Sequence, residues 1–447
     1  MGAFKAYDIR GVYNRDFNKN DVYKIGFFIP ELLNAGKVLI GRDVRESSPE
    51  IYEALCSGIT DAGADVYDAG LSTTPMIYWG TAKFRFEASV MITASHNPKE
   101  YNGLKISRKD ALPVGFDSGL NELEKWIHER DIVPASQKGN VIDYNIKEQY
   151  LDFQRAYLVD LTGLNIAVDG SNGMAGLFIK ELLGNKPHYI FLEPDGTFPN
   201  HEANPLEIEN VHDLQKLVNE TKSDIGVIFD GDADRVMFVD ENSRFISPDL
   251  IIGLLAHYFL EEKELKGNVL QDIRTSKAVG EYIENFGSTM HMWRVGRAYA
   301  ALKLREIDGI FGGELAGHYY FRDFYYSDSG ILACLLVLRI VDKFKKQGIK
   351  FSELIDKISS YANSGEINFK IEEKEKAMKA LKGYFTHIEA LTAFYDFDGF
   401  RIEFKDWWFN VRPSNTEPYL RFLAEARSKE LLDEKIALAR KIISAFE

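Results

Sequence analysis

Cysteine is nearly absent. The 447 residues hold two, Cys56 and Cys334, both in apolar stretches, so a disulfide framework is excluded and each reads as a buried thiol. Long apolar runs are missing as well: no stretch reaches the roughly 18 uncharged apolar residues of a membrane span. The opening Met-Gly-Ala-Phe-Lys-Ala-Tyr-Asp-Ile-Arg-Gly has no apolar core of signal-peptide length, and the expected location is the cytoplasm, with no membrane partner. Positive charge is in deficit, since 54 Lys and Arg stand against 68 Asp and Glu for a formal charge of −14. That balance argues against nucleic acid as a partner, although a local basic pocket can still hold a small anion. No low-complexity linker divides the chain.

The composition, 45% hydrophobic and 27% charged, is that of an ordinary globular protein, and the length suits roughly two to four domains. Three stretches share one grammar: an apolar strand ending in Asp, a short polar or Gly-containing loop, an amphipathic helix, then another strand. The first runs from Val38 to Asp43 and into a helix from about Pro49, with Ile51, Tyr52, Leu55 and Ile59 on one face, Ser48 placed to cap it and Gly63 to stop it. The second runs from Ile166 to Asp169, through Gly-Ser-Asn-Gly to a helix ending near Leu183 and a strand around Tyr189 to Leu192. The third runs from Val269 to Asp272, then a helix from Lys277 to Asn285 and a strand from Met290 to Trp293. Their aspartates stand roughly 100 to 130 residues apart, the spacing of domains rather than of a solenoid.

The last stretch has a different grammar, with strands at Phe400–Phe404, Trp408–Arg412 and Tyr419–Ala424 and one final helix capped by Ser428. Leu432, Ile436, Ala439, Ile443 and Phe446 form its single apolar stripe. The expectation is an α/β protein of three related α/β domains with mixed sheets and a smaller C-terminal α+β domain, at about 1–140, 141–245, 246–362 and 363–447.

Four loops carry chemistry. Asp230-Gly231-Asp232-Ala233-Asp234-Arg235 follows the apolar strand Ile225–Phe229, and its period of two lets Asp230, Asp232 and Asp234 converge on one cation. Oxygen ligands alone favour Mg²⁺ or Ca²⁺ over zinc, and an EF-hand would need Gly where Arg235 stands. Thr93-Ala94-Ser95-His96-Asn97-Pro98 exposes a hydroxyl at a strand end, with Lys105 close behind as a second residue able to manage protons. A Ser-His-Asp hydrolase is disfavoured, because no Gly-x-Ser-x-Gly elbow is present and adjacent side chains such as Ser95 and His96 usually diverge. Arg412-Pro413-Ser414-Asn415-Thr416, with Arg421 beyond, offers guanidinium, hydroxyl, amide and backbone donors suited to a dianionic phosphate. Gly312-Gly313-Glu314-Leu315-Ala316-Gly317-His318 offers a carboxylate that can accept from vicinal sugar hydroxyls.

Taken in order, these loops resemble the α-D-phosphohexomutase family, nearest its phosphomannomutase and phosphoglucomutase members, from Tyr7-Asp8-Ile9-Arg10-Gly11 to Arg412-Pro-Ser-Asn-Thr416. The resemblance implies four domains around a central cleft, each giving one loop. It implies a phosphoserine at Ser95 whose phosphate completes a Mg²⁺ site with Asp230, Asp232 and Asp234, and a hexose 1,6-bisphosphate as intermediate and activator. Lys105 would be the general acid/base, its pKa lowered by Arg10, with His96 and Arg10 beside the transferring group. Tyr7, Arg235, Arg274, Arg297, Glu314, Ala316, His318, Arg412, Ser414, Asn415, Thr416 and Arg421 would bind substrate, Arg412 to Thr416 at the distal phosphate.

Ala316 departs from the usual Gly-Glu-Met-Ser, and Arg274 and Arg297 stand where relatives often carry Lys and His. The activity implied is interconversion of the 6- and 1-phosphates of mannose, and of glucose as second substrate. The alternatives are a phosphoglucosamine mutase or a non-catalytic sugar-phosphate-binding protein of the same fold.

Overall fold

The computed structural model describes residues 2–413 and 419–446. It contains four sheets. The first is mixed, in the order Ile9–Val12, Tyr101–Arg108, Ala88–Ile92, Lys37–Arg42, Asp65–Leu71, Val141–Asp143. Its first three strands pair antiparallel and the rest parallel. The second sheet runs Phe245–Ile246, Val236–Asp240, Ile225–Phe229, Ile166–Asp169, His188–Ile190, and the third Thr289–Trp293, Asn268–Asp272, Gly309–Gly313, Tyr319–Phe321, Ser327–Asp328. The fourth is six-stranded and antiparallel, with helices Lys374–Ile388 and Lys429–Ile443 packed on it, the α+β grammar read from the sequence. Val141–Asp143, expected to head the second unit, instead lengthens the edge of the first sheet.

The three strand-ending aspartates do one job. In each repeat the carboxylate accepts the backbone N–H two residues on: Arg45 to Asp43 at 3.1 Å, Ser171 to Asp169 at 2.7 Å and Arg274 to Asp272 at 2.6 Å. This Asx turn bends the chain off the strand end. It also corrects one expectation, because Ser48 Oγ donates to Asp43 at 2.6 Å rather than capping its helix, which starts at Ser48 itself. Ser428 does cap the final helix, accepting from Leu431 N at 3.2 Å.

Helix Thr74–Lys83 is apolar on nearly every face and buried along all but its last residue. Thr73 caps it by accepting from Met76 N at 3.1 Å. It joins the first sheet to the loop after Ile225–Phe229, with Thr74 N donating to Asp232 O at 3.1 Å. Helix Gly330–Lys345 starts against that same loop, Gly330 N donating to Ala233 O at 3.1 Å. One continuous core cluster therefore runs from Leu39 to Ile358 and holds three of the four loops in a common frame. Cys56 and Cys334 are buried free thiols, and among the described residues no helix is long and apolar enough to cross a membrane.

Candidate active site

Strand Ala88–Ile92, buried throughout, delivers the serine loop. Ser95 has φ 51°, a left-handed backbone that costs a non-glycine residue about 1 kcal/mol or more. The loop is held by Arg45, whose guanidinium is fully buried and donates to the carbonyls of Ser95 (2.8 Å), Asn97 (2.7 Å), Pro98 (2.7 Å) and Tyr101 (3.0 Å) while pairing with Asp43. The left-handed turn also brings neighbouring side chains together, so that Ser95 Oγ lies 3.3 Å from His96 Nδ1. The expected divergence of Ser95 and His96 does not occur. Burial and the charges of Arg235, Arg10 and Lys105 press the His96 pKa well below the usual histidine value, so it is neutral at pH 7.

Ser95 Oγ donates to Asp230 Oδ2 at 2.7 Å. Asp230, Asp232 and Asp234 are buried, with one oxygen from each within 4.8 Å of the others. Gly231 is needed there, since a Cβ would fall 2.5 Å from Ser95 O. Burial and the charges of Asp234 and Asp232 push the Asp230 carboxyl well above its ordinary range. Asp232 Oδ1 and Asp234 Oδ1 are buried without hydrogen-bond partners. A hard cation with oxygen ligands fits this donor set.

Lys105 Nζ contacts Asp232 Oδ2 at 2.6 Å and Asp234 Oδ2 at 2.5 Å. Although burial opposes its charge, the two aspartates raise the Lys105 pKa well above the usual lysine value, the reverse of the lowering expected from Arg10. Arg10 is itself engaged by Asp8 and donates to Asn97 Oδ1 at 2.8 Å.

The sugar loop hangs from Asp272, which accepts Leu315 N at 2.8 Å and pairs with Arg274 Nη2 at 2.7 Å. Glu314 Oε1 accepts from Gly296 N at 3.1 Å and Tyr320 Oη at 2.8 Å. Burial lifts the Glu314 pKa, with His318 opposing. His318 is fixed at both ring nitrogens, Nδ1 2.6 Å from Asp328 Oδ2 and Nε2 accepting from Arg235 Nε at 3.0 Å. Arg297 donates to Asp328 Oδ1 at 3.2 Å and to Ala111 O at 3.3 Å, and lies 3.4 Å over the Tyr78 ring, so most of its guanidinium braces the third unit on the first. Tyr7 Oη donates to Val295 O at 2.9 Å, and burial with the Asp398 charge holds its phenol up at about 12.

In the fourth unit, Glu366 lies 3.8 Å from Arg412 and 3.3 Å from Arg421. Burial, then the nearby Arg274 charge, lowers the Arg412 pKa. Ser414, Asn415 and Thr416 lie outside the described residues.

A cavity of about 1100 Å³ gathers Tyr7, Arg10, Ser95, His96, Lys105, Asp234, Arg235, Arg297, Glu314, Ala316 and His318. Arg274, Arg412 and Arg421 are outside its lining. Asp272 was read from sequence only as a strand end, and Arg45, Thr74, Tyr320 and Asp328 were given no role in the site, although Asp43-Val44-Arg45 and Asp272-Ile273-Arg274 repeat one pattern that could have found Arg45. Thr74 Oγ1 donates to Asp232 Oδ2 at 2.5 Å.

Models of phosphoglucomutase/phosphomannomutase match the chain in four parts: alpha/beta/alpha domain I at residues 1–131, domain II at 148–243, domain III at 247–361 and the C-terminal domain at 366–439. A phosphomannomutase of Salmonella montevideo is 37% identical, the match covering 97% of this chain and 98% of that protein. A phosphomannomutase of Methanocaldococcus jannaschii is 35% identical over 100% of this chain and 98% of its own. The crystal structure of a phosphoglucomutase/phosphomannomutase family protein from Burkholderia thailandensis superposes with a TM-score of 0.88 at 28% identity, covering 99% of this chain and 97% of that one.

Proposed function

The chain belongs to the phosphoglucomutase/phosphomannomutase family and is an isomerase of sugar phosphates, and from that premise we propose that it interconverts the 6- and 1-phosphates of mannose, and of glucose as second substrate, through a phosphoserine at Ser95 and a hexose 1,6-bisphosphate. The observation that carries the reading is Ser95 Oγ set 2.7 Å from Asp230 Oδ2 in one cavity with Lys105 and Glu314. A lone serine hydroxyl is a weak nucleophile, but a phosphorylated one beside a cation site can give up its phosphoryl group.

In the forward half, a sugar-phosphate hydroxyl attacks the Ser95 phosphorus, the P–Oγ bond breaks, and a bisphosphate and free Ser95 result. In the return half, Ser95 Oγ takes the other phosphate and the isomer leaves. Bound Mg²⁺ would use Asp230, Asp232 and Asp234, neutralise charge on the transferring group and relieve the aspartates of Lys105. Lys105 moves the hydroxyl proton, and neutral His96 and charged Arg10 steady the transferring oxygens. Glu314 accepts from the sugar O3 and O4 hydroxyls, and the Arg412 loop holds the phosphate that is not reacting. A buried cleft keeps water from the phosphoserine, which separates a mutase from a phosphatase.

The test is a coupled mutase assay on mannose 1-phosphate, glucose 1-phosphate and glucosamine 1-phosphate with Mg²⁺ and a trace of hexose 1,6-bisphosphate. Ser95→Ala serves as control. Turnover of mannose phosphate that vanishes in the variant supports the reading; turnover of glucosamine phosphate alone, or binding without turnover, sinks it.

A further inference from the structure

Glu314 has two oxygens in unequal circumstances. Oε1 is saturated by the Gly296 N–H at 3.1 Å and the Tyr320 hydroxyl at 2.8 Å, while Oε2 has no hydrogen-bond partner among the described residues. The carboxylate lines the cavity. Tyr320 lies on strand Tyr319–Phe321, paired with Gly312 of the strand that leads into Glu314, so it reaches back across the loop it follows. Its ring is fully buried against Leu270, Ala300 and Leu304. The same ring stacks on His318, with centroids 6.2 Å apart and planes at 22°. One side chain thus touches both polar residues of the sugar loop. Ala316 in the same loop has no hydroxyl with which to share that work.

Resting on the mutase reading, the geometry points to Tyr320 as a positioning residue for sugar recognition: its hydroxyl fixes the Glu314 rotamer and turns Oε2 alone toward the vicinal hydroxyls of a hexose phosphate. A carboxylate free to rotate would present two oxygens in a spread of directions and lose part of its ordering advantage at each encounter. Burial and the Glu314 charge keep the phenol protonated, and therefore a donor, across the working pH range. Gly296 N is a backbone donor that every residue but proline keeps, so Tyr320 is the adjustable half of the clamp.

Tyr320→Phe deletes one oxygen and leaves the packed ring, which makes misfolding a minor concern; thermal unfolding provides the check. Kinetics and calorimetric binding of the hexose phosphate are compared for wild type, Tyr320→Phe, Glu314→Gln and the double variant, and repeated with 3-deoxy and 4-deoxy sugar phosphates. The expected result is a roughly tenfold loss of kcat/KM carried mainly by KM, corresponding to about 1.4 kcal/mol. That loss disappears in the Glu314→Gln background and shrinks on the deoxy sugar whose hydroxyl is missing. An unchanged Tyr320→Phe, or an equal loss in both backgrounds and on all sugars, overturns the inference while the mutase reading stands. A wild type that neither turns over nor binds hexose phosphates overturns both.

Discussion

Lys105 Nζ lies 2.5 Å from Asp234 Oδ2, an ion pair between a strand of the first sheet and the loop joining Ile225–Phe229 to Val236–Asp240 of the second, both residues lining the cavity. With Asp232 Oδ2 at 2.6 Å, the ammonium holds one oxygen of each aspartate and leaves both Oδ1 atoms without a hydrogen-bond partner. A cation held, as proposed, by Asp230, Asp232 and Asp234 would share two of its carboxylates with Lys105, and that competition can be measured.

Replacing Lys105 by Met removes that competitor. The variant should bind Mg²⁺ about tenfold more tightly or better, because two buried carboxylates are left uncompensated. Its mutase activity should fall by about 10² or more through loss of the proton-transfer group. Calorimetric Mg²⁺ titration of both proteins decides the first point; weaker binding by the variant would mean that Lys105 supports the cation site rather than opposing it.

Arg45 is the next case. Arg45→Met leaves the carbonyls of Ser95, Asn97, Pro98 and Tyr101 and the Asp43 carboxylate without their donor. Removing one partner of a buried, hydrogen-bonded charge costs about 3–5 kcal/mol, so a clear drop in Tm is expected. Arg45→Lys keeps the charge and loses the fork. It should fold better than the Met variant yet still lose kcat with little change in KM, since the loop carries Ser95, the proposed phosphoryl carrier, and Glu314 is untouched. A Lys variant with full kcat would show that the loop holds itself.

The interface between the third and fourth units has its own pH dependence. Glu425 accepts from Ser276 Oγ at 2.9 Å, Trp408 Nε1 at 2.8 Å and Asn363 Nδ2 at 2.8 Å, yet burial, then the nearby Asp249 charge, pushes its pKa up to about 7. The unfolded chain gives up this proton at about 4.5 and the folded protein keeps it to about 7. Across that window the native state binds more protons, so stability falls as pH rises from about 4.5 to 7 and then levels. The full change is about 3 kcal/mol. Denaturant melts over that range should show the slope in wild type and a flatter profile in Glu425→Gln; parallel profiles would rule out Glu425 as its source.

The cluster of Asp230, Asp232 and Asp234 was legible in the sequence because its signal is local: three aspartates at a period of two after a buried strand, Ile225–Phe229. The serine loop, Glu314 and the three α/β repeats were legible for the same reason, and the repeated strand-end Asp was readable before its Asx turn was seen. What escaped depends on partners distant in the chain or on backbone sign. The Lys105 pKa is set by Asp232 and Asp234 from another unit, so neighbouring residues misled. Ser95 meets His96 only because φ at Ser95 is positive, a torsion that Thr-Ala-Ser-His does not advertise. Tyr320 and Asp328 sit in ordinary strands, where a Tyr or Asp has no pattern to distinguish it.

Ala316 lines the cavity beside Glu314 and His318 and offers only a methyl group to whatever binds there. Ala316→Ser adds one hydroxyl, close in volume and on a loop already anchored by Asp272 through Leu315 N. Folding should be untouched, with Tm within measurement error. One net hydrogen bond is worth about 0.5–1.5 kcal/mol, so the KM for the preferred hexose phosphate should fall by roughly 2- to 12-fold with kcat changed less. If the loop reads the sugar rather than the phosphate, as proposed, the gain should differ between mannose and glucose phosphates and be absent for inorganic phosphate as an inhibitor. Steady-state kinetics on the two sugars with phosphate inhibition constants decide it: an equal gain for all three anions would move Ala316 from the sugar subsite to a phosphate subsite.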